Sequence, residues 1–181
     1  MNREAAHDQV IVLDRDGTIV VDRHYLDDPL GLEFEPNAAE GLRRLYQRGH
    51  RLVVVTNQSG IGRGMFSLGR LAEIHARLNA MLNSAGVRLA GIYFCPHLPE
   101  DGCACRKPGP GLMMQAAADL GFDPTKAVVI GDKMSDVEFG ARVGASTILI
   151  ARGPEMKVAP EPRPDLIAAD LLEAARWIDA Q

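Results

Sequence analysis

Short aliphatic runs recur along the chain, and segments with a helical spacing of apolar residues separate them. The runs are "VIVL", "LVVV", "GIYF", "AVVI" and "TILI", which begin at residues 10, 52, 91, 127 and 147. Each run is nearly continuous rather than alternating, which is typical of strands buried on both faces of a parallel sheet. The pattern therefore predicts buried strands at these positions.

The segments between the runs predict helices. Ser67 is a potential N-cap and Gly86 a potential stop for the longest of them, 67–86. The other helical segments are 36–49, 110–121, 135–144 and 164–180. Strands that alternate with helices predict an α/β fold, here a Rossmann-like parallel sheet with helices on both faces and right-handed crossovers.

Two segments fit no regular element. The stretch 18–36 is long and irregular, and we expect it to form a flap over a site, while the proline-rich stretch 152–165 is expected to be a loop. The chain has 181 residues, which suits one domain with a well-developed core. We therefore expect a single domain over 1–181.

Charge and hydropathy narrow the class of partner. The formal net charge is −4, whereas a protein that coats nucleic acid or an anionic membrane needs a basic surface. No apolar run is long enough to span a bilayer, and the first residues, "MNREAAHDQ", are polar rather than signal-like. We expect a cytoplasmic monomer with no nucleic-acid or membrane partner.

Chemically active side chains follow three of the predicted strands. Asp14 and Asp16 follow the first, and Asp132 and Lys133 follow the fourth, with Asp136 one turn later. The second strand is followed by Thr56, Asn57, Gln58 and Ser59. In open parallel sheets, ligands bind beyond the carboxyl ends of the strands, so we expect these side chains to gather at one edge.

The pair Asp14 and Asp16 has several possible explanations. It could be a turn and helix cap, or a chance pair. A calcium loop is excluded because Ile19 and Tyr25 stand where an EF-hand needs glycine and glutamate. The catalytic alternative is a carboxylate that attacks phosphorus, with a second carboxyl as general acid and base.

That catalytic alternative needs further groups, and the sequence supplies candidates. A divalent cation must bridge the carboxylate and the phosphate, and Asp132 could hold its other side. Gly17 would let backbone N–H groups approach the phosphate closely. Thr56 and Lys107, which lies in "RKPGPG" before a predicted helix, could bind the remaining phosphate oxygens.

Four short motifs, "DRDGT", "TNQ", "RKP" and "GDKMSD", resemble in order those of the haloacid dehalogenase (HAD) superfamily. The resemblance implies a HAD fold, with Asp14 as nucleophile, Asp16 as general acid and base, and phosphate binding by Thr56 and Lys107. It also implies Mg²⁺ at Asp14, Asp132 and the Asp16 carbonyl, with Asp136 as an outer partner or ligand. No segment after Asp16 is long enough for a cap domain.

The cysteines of the chain are clustered in "CPHLPEDGCAC". Three cysteines in so short a stretch of a cytosolic chain favour metal binding over a disulfide framework. Cys95, His97, Cys103 and Cys105 match a closed, structural Zn²⁺ site, which would brace the loop that carries Lys107. The alternative is a reduced loop with surface thiols.

The zinc loop narrows the resemblance to the HAD branch of heptose bisphosphate phosphatases and histidinol-phosphate phosphatases. "TNQSGIGRG", "DRHY" and "GDK" resemble the heptose enzymes, whereas the short segment from His97 to Cys103 is similar to the histidinol enzymes. A bisphosphate substrate prefers a basic rim, and Arg63 is one candidate for it. The predicted substrate-binding residues are Asp22, Arg23, His24, Tyr25, Asn57, Gln58, Ser59, Arg106 and Lys133.

The resemblance implies a small phosphorylated sugar as the partner and a place in nucleotide-activated heptose synthesis, which supplies precursors of lipopolysaccharide. Histidinol phosphate remains the alternative substrate. A zinc-braced binding module without activity is an alternative of another class, and the intact Asp14, Asp16, Lys107 and Asp132 count against it. A nucleic-acid 3′-phosphatase is disfavoured by the acidic net charge.

Overall fold

A parallel sheet forms the centre of the molecule. The computed structural model describes residues 9–152 and 161–181, and in this part of the chain the sheet has six strands in the order β3-β2-β1-β4-β5-β6. The strands are β1 (Val10–Leu13), β2 (Arg51–Asn57), β3 (Leu89–Cys95), β4 (Val128–Gly131), β5 (Ser146–Ile150) and β6 (Leu166–Ala168). Every neighbouring pair is parallel.

Helices cover both faces of the sheet, as predicted. They are α1 (Ala38–Gln47), α2 (Leu68–Ser84), α3 (Gly111–Leu120), α4 (Met134–Ala141) and α5 (Leu171–Ile178). Ile11 and Leu13 of β1 belong to the apolar core that α1, α2 and α5 cover. Val10 and Val12 point to the opposite core, which α3 and α4 cover. This alternation follows from the two-residue side-chain period of a strand.

The strand order reverses at β1. The chain runs outward from β1 through β2 to β3, and then returns to place β4 on the other side of β1. A crevice opens at such a reversal, outside the carboxyl ends of the two central strands. Asp14 and Asp132 directly follow β1 and β4, so the topology brings them together at this crevice.

Two predictions about the elements were wrong. The segment 164–180 is not one helix, because its first part forms β6, which pairs with β5. The helix α5 starts only after Asp170, whose side chain accepts a hydrogen bond from the Glu173 N–H at 2.9 Å. In addition, β3 is not buried on both faces: it lies at the sheet edge, and most of its residues are partly exposed.

The segments 18–36 and 152–165 were predicted to be a flap and a loop. Within 18–36, the structure has a 3-10 turn at Pro29–Gly31 and isolated bridges at Val20 and Phe34. Residues 1–8, and residues 153–160 of the predicted loop 152–165, lie outside the described part of the chain. Among the described residues, no helix is both long and apolar enough to cross a membrane.

Candidate active site

Asp14 lies at the centre of the strand edge. Its backbone N–H donates to the Ile130 carbonyl of β4 at 2.9 Å, which extends the β1–β4 ladder by one residue and fixes the carboxylate between the two strands. The ammonium of Lys107 lies 2.6 Å from Asp14 Oδ1. Both side chains are buried, so this attraction is weakly screened by solvent.

Lys107 joins three elements of the site. Its ammonium also donates to the Val55 carbonyl of β2 at 2.7 Å and lies 2.7 Å from Asp136 Oδ1 of α4. Burial alone would lower the pKa of Lys107, but the charges of Asp136 and Asp14 raise it above its ordinary value. The side chain is therefore a permanent cation in the pH range of biochemical work.

Asn57 holds the loop that carries Lys107. The Lys107 backbone N–H donates to Asn57 Oδ1 at 3.0 Å, and Asn57 Nδ2 donates to the Lys107 carbonyl at 3.1 Å. This reciprocal pair uses both functional groups of the amide side chain. Asn57 was predicted to bind substrate, and that role stays a prediction; in the structure its amide hydrogen-bonds the Lys107 backbone.

Asp132 has an unpaired carboxylate oxygen. Its Oδ1 is buried and has no hydrogen-bond partner among the described residues. Burial and the charge of Asp14 raise the pKa of Asp132 to about 7, although Lys133 opposes this shift. A buried, unpaired acceptor beside a second carboxylate is costly unless a cation compensates it.

The carboxylates fit a hard divalent cation. Ligand oxygens of Asp14, Asp132 and Asp136 all lie within 4.8 Å of one another. Asp136 is less suited to be a direct ligand, because its Oδ1 faces Lys107 and its Oδ2 accepts from the Lys133 N–H at 3.1 Å. Asp14 and Asp132 keep oxygens for Mg²⁺, which prefers oxygen ligands and retains several waters.

Gly17 is required for close approach to Asp132. It adopts φ +82°, and a Cβ at this position would overlap the Asp132 carboxylate. Its N–H, however, donates to the Val20 carbonyl at 2.7 Å. The glycine therefore serves the turn and the packing of the two strand ends. Its expected role of letting backbone N–H groups approach a phosphate stays a prediction.

Asp16 is held by two neighbouring side chains. Arg15 donates from Nη2 to Asp16 Oδ2 at 2.9 Å, and Gln58 Nε2 donates to the same oxygen at 2.8 Å. Gln58 Nε2 also lies 2.9 Å from Thr56 Oγ1. Since Thr56 accepts this bond, its own O–H remains available to donate to a ligand.

A cavity of about 360 Å³ opens above these groups. Asp16 and Lys107 line it. The buried Asp14 contacts Lys107, and the buried Thr56 contacts Gln58 of the cavity wall. Every residue that was predicted to bind substrate lies on its wall: Asp22, Arg23, His24, Tyr25, Asn57, Gln58, Ser59, Arg106 and Lys133. The segment 18–36 therefore contributes to the cavity through residues 22–26.

The rim of the cavity contains paired charges. Lys133 Nζ lies 3.2 Å from Asp22 Oδ2, and Arg23 Nη2 lies 2.7 Å from Glu33 Oε2. Burial alone would raise the pKa of Asp22, but the His24 N–H and the Lys133 ammonium lower it. The basic rim expected from the sequence is thus partly neutralised by carboxylates.

The flap is shaped by unusual backbone at the rim. His24 and Tyr25 have φ values of 46° and 53°, in the left-handed region that non-glycine residues rarely adopt. The Arg63 guanidinium lies 5.9 Å from the centroid of the Tyr25 ring. This cation–π contact connects the flap to the loop that follows β2.

The predicted zinc ligands come together at the end of β3. Ligand atoms of Cys95, His97, Cys103 and Cys105 all lie within 4.8 Å of one another. His97 Nδ1 is 3.2 Å from Cys105 Sγ, and Cys105 Sγ is 3.1 Å from Cys95 Sγ. These spacings are somewhat shorter than those of four ligands around a tetrahedral Zn²⁺, roughly 3.5–3.8 Å.

The chemistry of the cluster also favours a cation. Burial, with the neighbouring Cys105 thiol, raises the pKa of Cys95 to about 12. Although burial opposes the shift, hydrogen bonds with Cys105 and the Arg106 backbone lower the pKa of Cys103 to about 7, so this thiol takes a negative charge more readily. A bound divalent ion would compensate that charge. Arg106 Nη1 donates to the His97 carbonyl at 3.3 Å, and the Gln58 N–H donates to the Cys95 carbonyl at 2.7 Å, which ties the cluster to the active-site loops.

Sequence reasoning missed several residues of the site. Arg15 lies on the cavity wall and contacts Asp16. Leu26 and Ser135 also lie on the wall. Arg152 Nη1 donates to the Gly17 carbonyl at 3.0 Å and pairs with Glu35. Arg152 follows the fifth aliphatic run, so the rule that polar residues after parallel strands gather at one edge would have found it.

Comparison with known proteins identifies the family. Residues 104–174 match the family model described as HAD-hydrolase-like. Over 179 residues, the chain is 34% identical to D-glycero-β-D-manno-heptose-1,7-bisphosphate 7-phosphatase of Haemophilus ducreyi, covering 94% of this chain and 98% of the relative. The chain belongs to the heptose bisphosphate phosphatase family.

Other members of the heptose bisphosphate phosphatase family agree. The relative from Pseudomonas aeruginosa is 36% identical over 172 residues, with 92% of this chain and 95% of the relative covered. The solved structure of D,D-heptose 1,7-bisphosphate phosphatase from B. bronchiseptica, complexed with magnesium and phosphate, has a TM-score of 0.85 at 31% identity and covers 95% and 98% of the two chains. The predicted HAD resemblance and fold are confirmed.

Proposed function

We propose that this chain is a Mg²⁺-dependent phosphatase that removes the 7-phosphate of D-glycero-D-manno-heptose 1,7-bisphosphate. The observation that carries the proposal is the nearly full-length likeness to the heptose bisphosphate phosphatases, 94% of this chain and 98% of the Haemophilus ducreyi relative. The arrangement of carboxylates and lysine at the strand edge supports the chemistry, and it disfavours a binding module without activity.

Asp14 is the proposed nucleophile. Its carboxylate attacks phosphorus, a P–O bond to Asp14 forms, and the bond to the sugar oxygen breaks. Asp16 gives its proton to the departing alkoxide. Asp16 then accepts a proton from water, the water oxygen attacks the phosphorus of the acyl phosphate, and inorganic phosphate leaves while Asp14 is restored.

Thr56 and Lys107 are the proposed donors to the reacting phosphate. The Thr56 hydroxyl accepts from Gln58 and can therefore donate its proton to a phosphate oxygen. Lys107 is a buried cation beside Asp14, where it can offset negative charge that develops in the transition state. Asn57 acts on this step through the backbone of Lys107.

Asp14, Asp132 and the Asp16 carbonyl are proposed to hold Mg²⁺, and Asp136 is proposed to brace Lys107 and the backbone beside Asp132. Mg²⁺, when bound, would neutralise the repulsion between the carboxylate nucleophile and the phosphate dianion. The buried, unpaired Oδ1 of Asp132 supports this assignment. A structural Zn²⁺ is proposed at Cys95, His97, Cys103 and Cys105.

The cavity wall is the proposed site of sugar recognition. Arg106 and Lys133 are proposed to bind the second phosphate, since a guanidinium and an ammonium on one wall can neutralise a dianion. Lys133 would have to exchange its Asp22 partner for that phosphate. The sugar itself is proposed to contact Asp22, Arg23, His24, Tyr25, Gln58 and Ser59.

The organisation of the protein is also a proposal. We expect one domain over 1–181, and two observations support it: all described helices pack on one sheet, and relatives of similar length match over nearly the whole chain. A cytoplasmic monomer that acts in heptose precursor synthesis is consistent with this reading, and gel filtration of the pure protein tests its oligomeric state.

Phosphate release tests the proposed substrate. The two anomers of heptose 1,7-bisphosphate are compared with histidinol phosphate as substrates, in Mg²⁺ and at equal concentrations. We expect kcat/KM for at least one heptose anomer to exceed that for histidinol phosphate. A higher value for histidinol phosphate would contradict the proposal. It would indicate that the short segment from His97 to Cys103, which is similar to the histidinol enzymes, predicts the substrate better than the other motifs.

A further inference from the structure

Arg15 is a buried arginine at the base of the active site. It lies in the bend that follows β1, and only 1% of its surface is exposed. A buried guanidinium is costly unless it is paired and hydrogen-bonded. The contacts of Arg15 therefore indicate why the chain keeps a charge at this position.

The contacts of Arg15 converge on Asp16. Arg15 Nε lies 3.1 Å and 3.2 Å from the two carboxylate oxygens, and Nη2 lies 2.9 Å from Oδ2. In the described part of the chain, Asp16 is the ion-pair partner of Arg15. A planar guanidinium fixes the plane of a carboxylate as well as its position, which a single ammonium does not.

Two further side chains, His75 and Gln58, belong to the surroundings of Arg15 and Asp16. Nearby His75 is kept neutral, because burial and the Arg15 charge lower its pKa to about 4. Gln58, which directly follows β2, holds Asp16, with Nε2 2.8 Å from Oδ2. The Asp16 carboxyl group is thus fixed by a buried fork on one element and by an amide on another.

We propose that Arg15 is a positioning residue that, together with Gln58, holds the Asp16 carboxyl group where it protonates the leaving alkoxide. The inference rests on the proposed function, in which Asp16 is the general acid. Arg15 would not touch the substrate's reacting atoms itself. A small displacement of a proton donor lowers the reaction rate strongly, because the donor must lie within hydrogen-bond distance of the acceptor in the transition state.

The leaving group of the substrate distinguishes positioning from a general structural role. A sugar alkoxide must be protonated as it departs, whereas acetate leaves acetyl phosphate as a stable anion. The quantity kcat/KM covers steps up to the departure of the leaving group and excludes the later hydrolysis of the acyl phosphate. A misplaced Asp16 should therefore lower kcat/KM for heptose bisphosphate far more than for acetyl phosphate.

The test uses Arg15→Met, which removes the fork but keeps most of the buried volume. We expect kcat/KM for heptose bisphosphate to fall roughly 10- to 100-fold, and that for acetyl phosphate to fall by no more than about threefold. Asp16→Asn should show the same selectivity. Arg51→Met is the matched control. This partly buried arginine lies at the start of β2, away from the active site, and donates to the Leu120 carbonyl of α3. The variant should leave the ratio of kcat/KM for the two substrates unchanged.

Several results would overturn the inference. Equal losses on both substrates, or no loss, in folded Arg15→Met would show that Arg15 does not position the acid. If this variant fails to fold, Arg15→Lys decides, since it keeps the charge and loses the fork, and it should show the same selectivity. If the wild type cleaves acetyl phosphate but not heptose bisphosphate, the proposed substrate fails, and histidinol phosphate, also an alkoxide leaving group, replaces it in the comparison.

Discussion

The Lys107 ammonium lies 2.6 Å from Asp14 and 2.7 Å from Asp136, so one buried cation stands between carboxylates of the β1 edge and of α4. Asp132 adds a third carboxylate within 4.8 Å of both. One lysine cannot balance three ionised carboxylates. The surplus negative charge is what a divalent cation would neutralise, and burial, together with this charge, raises the pKa of Asp132.

Removing Lys107 should damage both stability and turnover. Lys107→Met leaves Asp14 and Asp136 buried without their cation, which should cost about 3–5 kcal/mol of unfolding free energy and lower kcat at least about 100-fold. Urea unfolding and phosphate release measure the two effects. Lys126→Met, at an exposed lysine outside the site, should change neither, and a similar effect of both variants would contradict the role of Lys107.

Asp132 should make the magnesium-free protein less stable as pH rises. Its pKa is raised from 3.8 to about 7, so between these values the folded protein holds a proton that the unfolded chain has released. The stability from this group is present below pH 3.8 and is lost as pH rises towards 7. The same direction applies to Asp136, whose pKa is raised chiefly by burial.

The measurement for Asp132 is a difference between variants. Thermal unfolding of the wild type and of Asp132→Asn is recorded from pH 4 to pH 7 in magnesium-free buffer that does not strip zinc. Carboxylates with lowered pKa values, Asp22, Asp123 and Asp170, contribute equally to both proteins. The midpoint of the wild type should fall relative to that of the variant as pH rises, and parallel curves would contradict the assignment.

Asp14→Asn should abolish turnover while the fold remains, because an amide is a poor nucleophile at phosphorus. Lys107 keeps Asp136 as its partner in this variant, so the variant should remain folded. We expect kcat to fall on the order of 10³-fold or more. Asp123→Asn, at a cap away from the site, is the control, and an Asp14→Asn kcat within about tenfold of wild type would reject Asp14 as nucleophile.

Purified protein should contain close to one zinc per chain, and Cys103→Ser should lower that content. Cys103 and Cys105 precede Arg106 in the loop, and Arg106 donates to the His97 carbonyl, so zinc loss should loosen the Lys107 loop and lower activity. Elemental analysis and phosphate release test this. Activity lost on chelation should return with Zn²⁺ plus Mg²⁺ and not with Mg²⁺ alone; zinc-free protein of full activity would contradict the proposal.

Arg106→Lys should weaken the use of heptose bisphosphate more than the use of acetyl phosphate. A guanidinium can grip two oxygens of the distal phosphate, whereas an ammonium is a point charge. A selective loss of about tenfold in kcat/KM corresponds to about 1.4 kcal/mol of transition-state binding. Arg70→Lys, on the exposed face of α2 and paired with Glu73, is the control; equal losses on both substrates would assign Arg106 to the reacting phosphate or to the loop.

The arrangement of the strand edge could be predicted from sequence for a physical reason. Continuous aliphatic runs locate buried parallel strands, and the carboxyl ends of parallel strands share one edge, so Asp14, Thr56 and Asp132 had to be neighbours. The clustered cysteines and histidine likewise come together because so few residues separate them. Neither inference needs knowledge of loop conformation.

Other features could not be predicted because they depend on loops and pairing partners. The three residues of β6 resemble the start of the following helix, and only their pairing with β5 makes them a strand. The reciprocal bond between Asn57 and the Lys107 backbone depends on the path of the loop before α3. Arg15 lies between Asp14 and Asp16, and its burial and its contact with Asp16 depend on the path of the chain beyond the end of β1.

The most direct test of the central claim is ³¹P NMR of heptose 1,7-bisphosphate during turnover by the wild type in Mg²⁺. The spectrum distinguishes the phosphate on C7 from the anomeric phosphate and from inorganic phosphate. The proposed function predicts that the C7 signal disappears as inorganic phosphate appears, while the anomeric signal persists as heptose 1-phosphate. Loss of the anomeric phosphate, or an unchanged spectrum with folded protein, would contradict it.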